Sequence, residues 1–209
     1  MTSEIRVLLA DDHSLVRKGF RRLLDDDPGI RVVGEACDGA QAVEMARSLR
    51  PDVIVMDMAM PGLNGTQATI EILKFLPGAG IVILSMYEEA NYVRNAMQAG
   101  ARGYLLKNAS EVDLAAAIKN VARGRKVVDE KLQKPFDVPQ ESEPQLTPRE
   151  RQILQLIAEA KSTREIAALL DLSVNTVAVH RANMMDRLGL HKTAELVLYA
   201  VRNGIAQLP

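Results

Sequence analysis

Several residue types and patterns are scarce in this chain of 209 residues, which has one cysteine, no tryptophan and 3% aromatic residues. The single cysteine, Cys37, cannot form an internal disulfide, so we expect a reducing compartment, the cytoplasm. No run of about 18 apolar residues is present to span a bilayer. The first four residues also lack the basic-then-apolar layout of a secretory signal. These absences predict a protein with no membrane contact.

The chain also lacks a large net charge, since 26 Lys and Arg residues face 27 Asp and Glu residues. The charge is uneven along the chain. Residues 127–144 have a net charge of −3, whereas residues 145–209 have a net charge of +2. A mildly basic C-terminal part is compatible with nucleic acid binding.

The first 126 residues alternate between short apolar runs, which have the length and composition of strands, and stretches with helical spacing of apolar positions. The predicted strands are Ile5–Ala10, Arg31–Ala36, Val53–Met56, Ile81–Leu84 and Gly103–Leu106. The predicted helices are Leu15–Asp26, Ala40–Leu49, Gln67–Leu76, Ala90–Gln98 and Glu111–Arg123. This alternation predicts an α/β domain over residues 1–126, with a doubly wound five-stranded parallel sheet.

The composition changes over residues 127–145, where three prolines and five acidic residues leave little apolar surface. Such a stretch is typical of a flexible linker. We therefore predict a linker at 127–145 between the first domain and a second domain at 146–209.

The pattern of the second domain is wholly helical. Thr147–Glu150 and Ser162–Glu165 are capping boxes, in which a hydroxyl and a glutamate satisfy each other's backbone amides at a helix start. We predict that helices begin at both boxes, and that two more span Val174–Leu188 and about Thr193–Asn203. The turn Asp171–Ser173 separates the second and third helices. The sequence therefore predicts a small all-α four-helix domain that contains a helix-turn-helix unit.

Polar side chains follow four of the predicted strands at their carboxyl ends. Asp11 and Asp12 follow the first strand, and Asp57 follows the third. Ser85 follows the fourth strand and Lys107 the fifth. If the first and third strands are adjacent, the carboxylates meet at one sheet edge, where a cation must offset their repulsion. Mg²⁺ suits such oxygen ligands and recruits phosphate oxygens. Together with an ammonium and a hydroxyl, this arrangement predicts in-line phosphoryl transfer to Asp57.

Each of these residues also has an ordinary structural interpretation. The aspartate pair could be a loop pair or a helix N-cap, Ser85 a simple cap, and Lys107 a solvated surface lysine. Side chains of these types at the ends of four strands in one sheet nevertheless favour a site.

Residues 1–125 resemble the receiver domain of bacterial two-component response regulators, which have a flavodoxin-like fold. The matching motifs are Leu9–His13, Asp57–Gly65, Leu84–Met86 and Gly100–Lys107. The resemblance implies that Asp57 accepts a phosphoryl group from a sensor histidine kinase. It also implies Mg²⁺ bound by Asp11, Asp12, Asp57 and the main-chain carbonyl of Ala59.

The same resemblance implies a switch pair formed by Ser85 and Tyr104. The Ser85 hydroxyl would follow the phosphoryl oxygen, and the Tyr104 ring would fill the space behind it. Added phosphoryl charge must recruit donors, and a short hydroxyl side chain is the nearest movable one. An ordinary half-buried strand aromatic is the alternative for Tyr104.

Residues 146–206 resemble the DNA-binding domain of LuxR/NarL-type regulators. The matching motifs are Leu146–Arg151, Glu165–Ala167, Thr176–Val177, His180–Arg181, Met185–Gly189 and Ala194–Leu196. The resemblance implies that the third helix enters the major groove of double-stranded DNA. Because the domain has few positive charges, we expect useful binding from a homodimer on paired half-sites.

Helical spacing separates two faces of this predicted recognition helix. The face expected to pack on the core contains Val177, Met184 and Leu188, with His180 beside it. Ala178, Val179 and Ala182 lie on the opposite face, which would face the groove. The family often has lysine or another polar residue at the two alanine positions. With alanine at both positions, the direct contact with bases that remains available is apolar contact with thymine methyl groups.

Phosphate contacts are then expected from polar and basic residues elsewhere and from helix N-terminal amides. The candidates are Thr163, Arg164, Asn175, Thr176 and Arg181. A solvated or salt-bridged helix face is the alternative for Arg181 and the expectation for Arg187.

The sequence therefore predicts a transcription regulator controlled by phosphorylation of Asp57, and not an enzyme. An aspartyl phosphatase with Asp57 as nucleophile would need an acid-base carboxylate two residues later, where this chain has Ala59. The other alternative is a regulator of the same fold that binds DNA without phosphorylation. The intact acidic site argues against it.

Overall fold

The computed structural model describes residues 4–107, 111–129, 132 and 146–206. The chain forms two compact units that divide after residue 137. Most of the predicted linker, residues 130–131 and 133–145, lies outside the described residues. Within the described ranges, no helix combines the length and the apolar character needed to cross a bilayer.

The N-terminal unit is a parallel sheet in the order β2-β1-β3-β4-β5-β6. Its strands are β1 (Ile5–Ala10), β2 (Ile30–Ala36), β3 (Val53–Asp57), β4 (Gly80–Ser85), β5 (Gly103–Leu106) and β6 (Val127–Val128). Its helices are α1 (Ser14–Asp25), α2 (Gly39–Leu49), α3 (Gly65–Phe75), α4 (Ala90–Gln98) and α5 (Glu111–Ala122). The predicted doubly wound α/β fold is confirmed, and β1 and β3 are neighbours as the site requires.

The core of this unit lies on both faces of the sheet, because alternate residues of a strand point to opposite faces. Leu8 and Ile54 belong to one buried cluster, and Val7 and Val53 belong to the other. Each such buried side chain stabilises the fold by about 1.5–3 kcal/mol. This burial holds the carboxyl ends of β1 and β3 side by side.

The sequence predicts five strands, whereas the described residues form a sheet of six, the last of which lies at the start of the predicted linker. Val127–Val128 pairs in parallel with β5, and the Asp129 N–H donates to the Tyr104 carbonyl at 3.0 Å. Leu132 lies in the same buried cluster as Tyr104. A strand of two residues gives no periodic signal, so its pairing depends on contacts that local sequence patterns do not reveal.

The C-terminal unit contains α6 (Pro148–Ala158), α7 (Thr163–Leu169), α8 (Val174–Leu188) and α9 (Thr193–Arg202). Both predicted capping boxes are present, at Thr147 and Ser162. In the turn between α7 and α8, Asp171 has a φ of 52°, a left-handed conformation that aspartate tolerates better than most residues. Gly189 ends α8 with a φ of 65°, as predicted for a helix C-terminus.

Candidate functional site

Two buried carboxylates lie at the carboxyl ends of adjacent strands in the N-terminal unit. Asp11 is 3% exposed and Asp57 is 2% exposed. The Asp11 N–H donates to the Ala36 carbonyl of β2 at 3.1 Å. The N–H of Met58, which follows Asp57, donates to the Leu84 carbonyl at 3.0 Å. Sheet hydrogen bonds therefore fix the backbone on which both carboxylates are mounted.

Lys107 lies between these carboxylates, as the sequence predicts. Its Nζ is 2.9 Å from Asp11 Oδ2 and 2.9 Å from Asp57 Oδ2. One ammonium offsets one of the two buried negative charges, and Asp12 beside them adds a third carboxylate. Potential ligand atoms of Asp11, Asp12, His13 and Asp57 lie within 4.8 Å of one another. This oxygen-rich donor set fits a hard divalent cation such as Mg²⁺.

The protonation of this cluster follows from its burial. Burial raises the pKa of Asp57 to about 6, while the charge of Lys107 acts in the opposite direction. Burial by itself would lower the pKa of Lys107, but the charges of Asp57 and Asp11 and the hydrogen bonds to both carboxylates together raise that pKa above its ordinary value. Asp57 is therefore mostly ionised at neutral pH, as a nucleophile must be.

A tight loop follows Asp57, and its close approach to the end of β3 requires glycine at position 65. The Ala59 N–H donates to Asp57 Oδ1 at 3.3 Å, and the Gly65 N–H donates to the Met58 carbonyl at 3.0 Å. A Cβ on Gly65 would lie 2.2 Å from the Asp57 carbonyl oxygen, so α3 can start here only with glycine. The role of the Ala59 carbonyl as a metal ligand stays a prediction.

Ser85 and Tyr104 are both enclosed. Ser85 is 1% exposed, and its hydroxyl accepts from the Tyr87 N–H at 3.0 Å. The Tyr104 ring is fully buried, and its hydroxyl donates to the Tyr87 carbonyl at 2.9 Å. Burial raises the pKa of Tyr104 well above its ordinary value, so the hydroxyl is a donor at neutral pH. Both residues of the predicted switch pair therefore bond to Tyr87.

Sequence reasoning missed three contacts around the pocket. His13 Nδ1 lies 2.8 Å from Asp12 Oδ1. The Tyr87 ring stacks on Tyr92 of α4, with centroids 4.4 Å apart. Arg17 of α1 donates to the Asp11 carbonyl at 2.5 Å. Only adjacency to the aspartates marks His13 in the sequence, and no pattern marks the other contacts.

The exposed face of α8 is the candidate DNA surface in the C-terminal unit. Ala178, Val179 and Ala182 are exposed, and Val179 is 50% exposed. Val177 and Met184 are fully buried. The division into two faces that helical spacing predicts is therefore confirmed, whereas the proposed contact with bases stays a prediction.

The basic residues of α8 have different partners. Arg187 pairs with the buried carboxylate of Glu150 at 2.9 Å, as its predicted salt-bridged role requires. Arg181 donates to the hydroxyls of Thr163 and Thr193, both at 3.1 Å. Its guanidinium thus lies beside the first residues of α7 and α9, where amide groups favour anions.

The other phosphate candidates are close to helix starts. Arg164 is exposed in the first turn of α7, and Asn175 is exposed in the first turn of α8. The Thr176 hydroxyl lies 2.8 Å from the Ser173 hydroxyl. The structure thus places the predicted polar candidates at helix N-termini, but their contact with DNA is untested.

Known protein families account for both units. The response regulator receiver domain matches residues 7–119, and the luxR family of bacterial regulatory proteins matches residues 144–200. This chain is a LuxR/NarL-family response regulator. Members of this family bind DNA and regulate transcription, which confirms the prediction of a regulator and not an enzyme.

This response regulator is similar to other response regulators along nearly its full length. It is 38% identical to response regulator UvrY of Escherichia coli K12, over 96% of this chain and 95% of UvrY. It is 37% identical to response regulator GacA of Pseudomonas aeruginosa, over 96% of this chain and 97% of GacA. A solved RcsB–DNA complex matches it with a TM-score of 0.60 and 26% identity, over 96% of this chain and 99% of RcsB.

Proposed function

We propose that this response regulator is switched on by transfer of a phosphoryl group from a sensor histidine kinase to Asp57. Mg²⁺ would be held by Asp11, Asp12, Asp57 and the carbonyl of Ala59. The observation that carries the proposal is the position of Lys107 at 2.9 Å from both buried carboxylates. A buried ammonium beside a buried nucleophile suits a reaction in which negative charge develops on phosphoryl oxygens.

Each residue of the pocket has a defined part in this transfer. Asp57 attacks phosphorus through a carboxylate oxygen, so one P–O bond forms while the bond from phosphorus to the donor breaks. Lys107 stabilises the phosphoryl oxygens and keeps Asp57 ionised. Bound Mg²⁺ supplies further positive charge to the same oxygens. The buried surroundings exclude water, which strengthens each of these electrostatic contacts.

The switch would begin at Ser85. A phosphoryl group adds roughly −1.5 to −2 charges and attracts the Ser85 hydroxyl, which now accepts from the Tyr87 N–H. Movement of Ser85 would break that bond and release the loop whose carbonyl holds the Tyr104 hydroxyl. The Tyr104 ring, which is already buried, would then shift toward the space that Ser85 leaves. The signal would thereby reach β5 and α4.

The active form would be a homodimer that binds paired half-sites in double-stranded DNA with α8 in the major groove. Ala178, Val179 and Ala182 would contact thymine methyl groups. Phosphate contacts would come from Thr163, Arg164, Asn175, Thr176 and Arg181. The exposure of the three apolar side chains supports this assignment, and so does the DNA-bound state of the similar regulator RcsB.

The phosphoacceptor is tested by incubating the full chain with acetyl phosphate and Mg²⁺ and measuring the intact mass. We expect the mass of one added phosphoryl group on the wild type and none on Asp57→Asn. The matched control is Asp26→Asn, which removes an exposed carboxylate after α1 and should be labelled like the wild type. Labelling of Asp57→Asn to the wild-type extent would show that another residue accepts the group. DNA mobility shifts before and after labelling then separate phosphorylation-dependent from phosphorylation-independent binding.

A further inference from the structure

The guanidinium of Arg17 lies directly behind the acidic pocket. This α1 side chain is 16% exposed, and its Nη1 donates to the main-chain carbonyl of Asp11 at 2.5 Å. Its Nε donates to Glu35 Oε2 at 3.2 Å. One planar side chain therefore connects α1, the end of β2 and the backbone of a proposed metal ligand.

The position of Arg17 is itself fixed by a second ion pair. Arg21, one helical turn later, donates to the other oxygen of Glu35 at 2.8 Å. The hydrogen bond from Arg21 has the largest effect on the pKa of Glu35 and lowers it, and the hydrogen bond from Arg17 lowers it further. Burial acts in the opposite direction but does not cancel this decrease. Glu35 is therefore ionised at neutral pH, and it offsets the charge that Arg17 would otherwise present to a nearby cation.

The Asp11 carbonyl is important because it belongs to the peptide that joins Asp11 to Asp12. Asp11 is held from several sides: its N–H bonds to β2, and its carboxylate accepts from the His13 N–H at 2.8 Å and contacts Lys107. Asp12 has a partly exposed side chain 2.8 Å from the His13 ring. The orientation of the shared peptide plane determines the direction in which Asp12 leaves the strand.

We propose that Arg17 is a positioning residue for the metal site, which fixes the Asp11–Asp12 peptide plane and so pre-orients both carboxylates for Mg²⁺. This inference rests on the proposed function. Arg17 is not among the proposed ligands of the cation or of the phosphoryl group, and it would act only through the loop. Groups behind a metal ligand typically change metal affinity about 10- to 100-fold when they are replaced.

The most informative variant is Arg17→Lys, which keeps the charge and removes the planar fork. Lysine cannot donate to the Asp11 carbonyl and the Glu35 carboxylate with the same geometry. A second variant, Glu35→Gln, keeps the shape of the side chain and removes the charge that orients Arg17. The matched control is Lys18→Gln, which removes an exposed positive charge at the next position of α1.

The first measurement is the Kd of the full-length wild type and variants for Mg²⁺, by calorimetric titration with MgCl₂ and no phosphodonor. We expect about tenfold weaker Mg²⁺ binding for Arg17→Lys, because Arg17 contacts the backbone of a proposed metal ligand. The weakening should be smaller for Glu35→Gln, because Glu35 acts only by orienting Arg17. Lys18→Gln should bind like the wild type. The second measurement is acetyl phosphate labelling, where Arg17→Lys should need about tenfold more Mg²⁺ but reach a similar rate at saturation.

Two outcomes would overturn the inference. One is an unchanged Kd for Mg²⁺ in both Arg17→Lys and Glu35→Gln, with only a lower melting temperature, because that result describes a purely structural link between α1 and β2. The other is an equal loss of affinity in Lys18→Gln, because that result describes a general effect of charge. Absence of Mg²⁺ binding or labelling in the wild type would instead contradict the proposed function itself.

Discussion

The two units of this response regulator expose their proposed functional residues to very different degrees. In the N-terminal unit, Asp57 and Ser85 are buried and already contact their neighbours. In the C-terminal unit, Ala178 and Val179 are open to solvent. A buried site must be assembled by the fold itself, and its geometry is visible without a ligand. An exposed recognition surface acquires its contacts only from the partner.

The largest effect should come from disturbing the backbone under the buried site. Gly65→Ala places a Cβ 2.2 Å from the Asp57 carbonyl oxygen, so we expect a loss of about 3 kcal/mol in the stability of the N-terminal unit. Phosphorylation should also be abolished. Hydrogen exchange resolved by peptide measures each unit separately, and the helices of the C-terminal unit should keep their protection.

The control for this variant is Gly78→Ala, because a Cβ there meets nothing within 4 Å. It should change stability by less than about 0.5 kcal/mol. Equal effects at both glycines would show that the close approach of α3 to Asp57 is not needed for the site.

The next effect in size concerns the charge of Asp57. Its folded pKa of about 6 lies above the ordinary value of 3.8, so the folded state binds more protons in that interval. Stability of the N-terminal unit should therefore fall as the pH rises from about 4 to about 6. Asp57→Asn should remove this dependence and stabilise the unit at pH 7.5 by about 2 kcal/mol without Mg²⁺. Urea unfolding of the wild type and Asp57→Asn at several pH values measures this pH dependence. An equal stabilisation by Asp57→Asn at pH 4 and pH 7.5 would contradict the raised pKa of Asp57.

A smaller effect is expected from the ion pair inside the C-terminal unit. The Glu150 carboxylate is buried, caps α6 through Thr147 and contacts Arg187. Burial alone would raise the pKa of Glu150, but the hydrogen bonds of Thr147 and the Arg187 charge lower it. The stabilisation is therefore present at neutral pH and is lost as the pH falls through the folded pKa.

Glu150→Gln keeps a capping-box residue and removes the ion pair, so we expect a loss of about 1–2 kcal/mol at pH 7. Hydrogen exchange of α6 and α8 measures the loss. Glu165→Gln, at the exposed second capping box, is the comparison and should have a smaller effect. A larger effect at Glu165 would show that burial does not govern the contribution of these glutamates.

The smallest effect in free energy should come from the exposed surface. Arg181→Ala should weaken binding to every DNA sequence by a similar factor, and it should reduce the slope of log affinity against log salt by about one. Competition binding at several salt concentrations measures both quantities. Arg151→Ala removes an equal charge from α6 and serves as the control. An unchanged slope for Arg181→Ala would remove this residue from the phosphate contacts.

The same contrast explains how much the sequence predicts. Asp11, Asp57 and Lys107 come together as predicted, because strand ends are marked locally and parallel strands align them at one edge. Helical spacing likewise identifies the open face of α8. The role of Arg17 and the strand β6 were not predicted, because both depend on tertiary contacts, with Glu35 of β2 and with β5 respectively, that no local pattern marks. The contacts with DNA bases stay a prediction. The side chains at those positions of α8 are small and exposed, and the position of the DNA determines which bases they meet.

The sheet ends differently at its two outer strands, and both ends oppose extension by another chain. β6 offers only two residues beyond β5. On the opposite side, the register between β1 and β2 shifts between Val7 and Leu8, which places an irregularity in the outer strand. Short or irregular edge strands are poor templates for a strand from another molecule. The outer strands therefore disfavour the addition of a strand from a second molecule at either edge of the sheet.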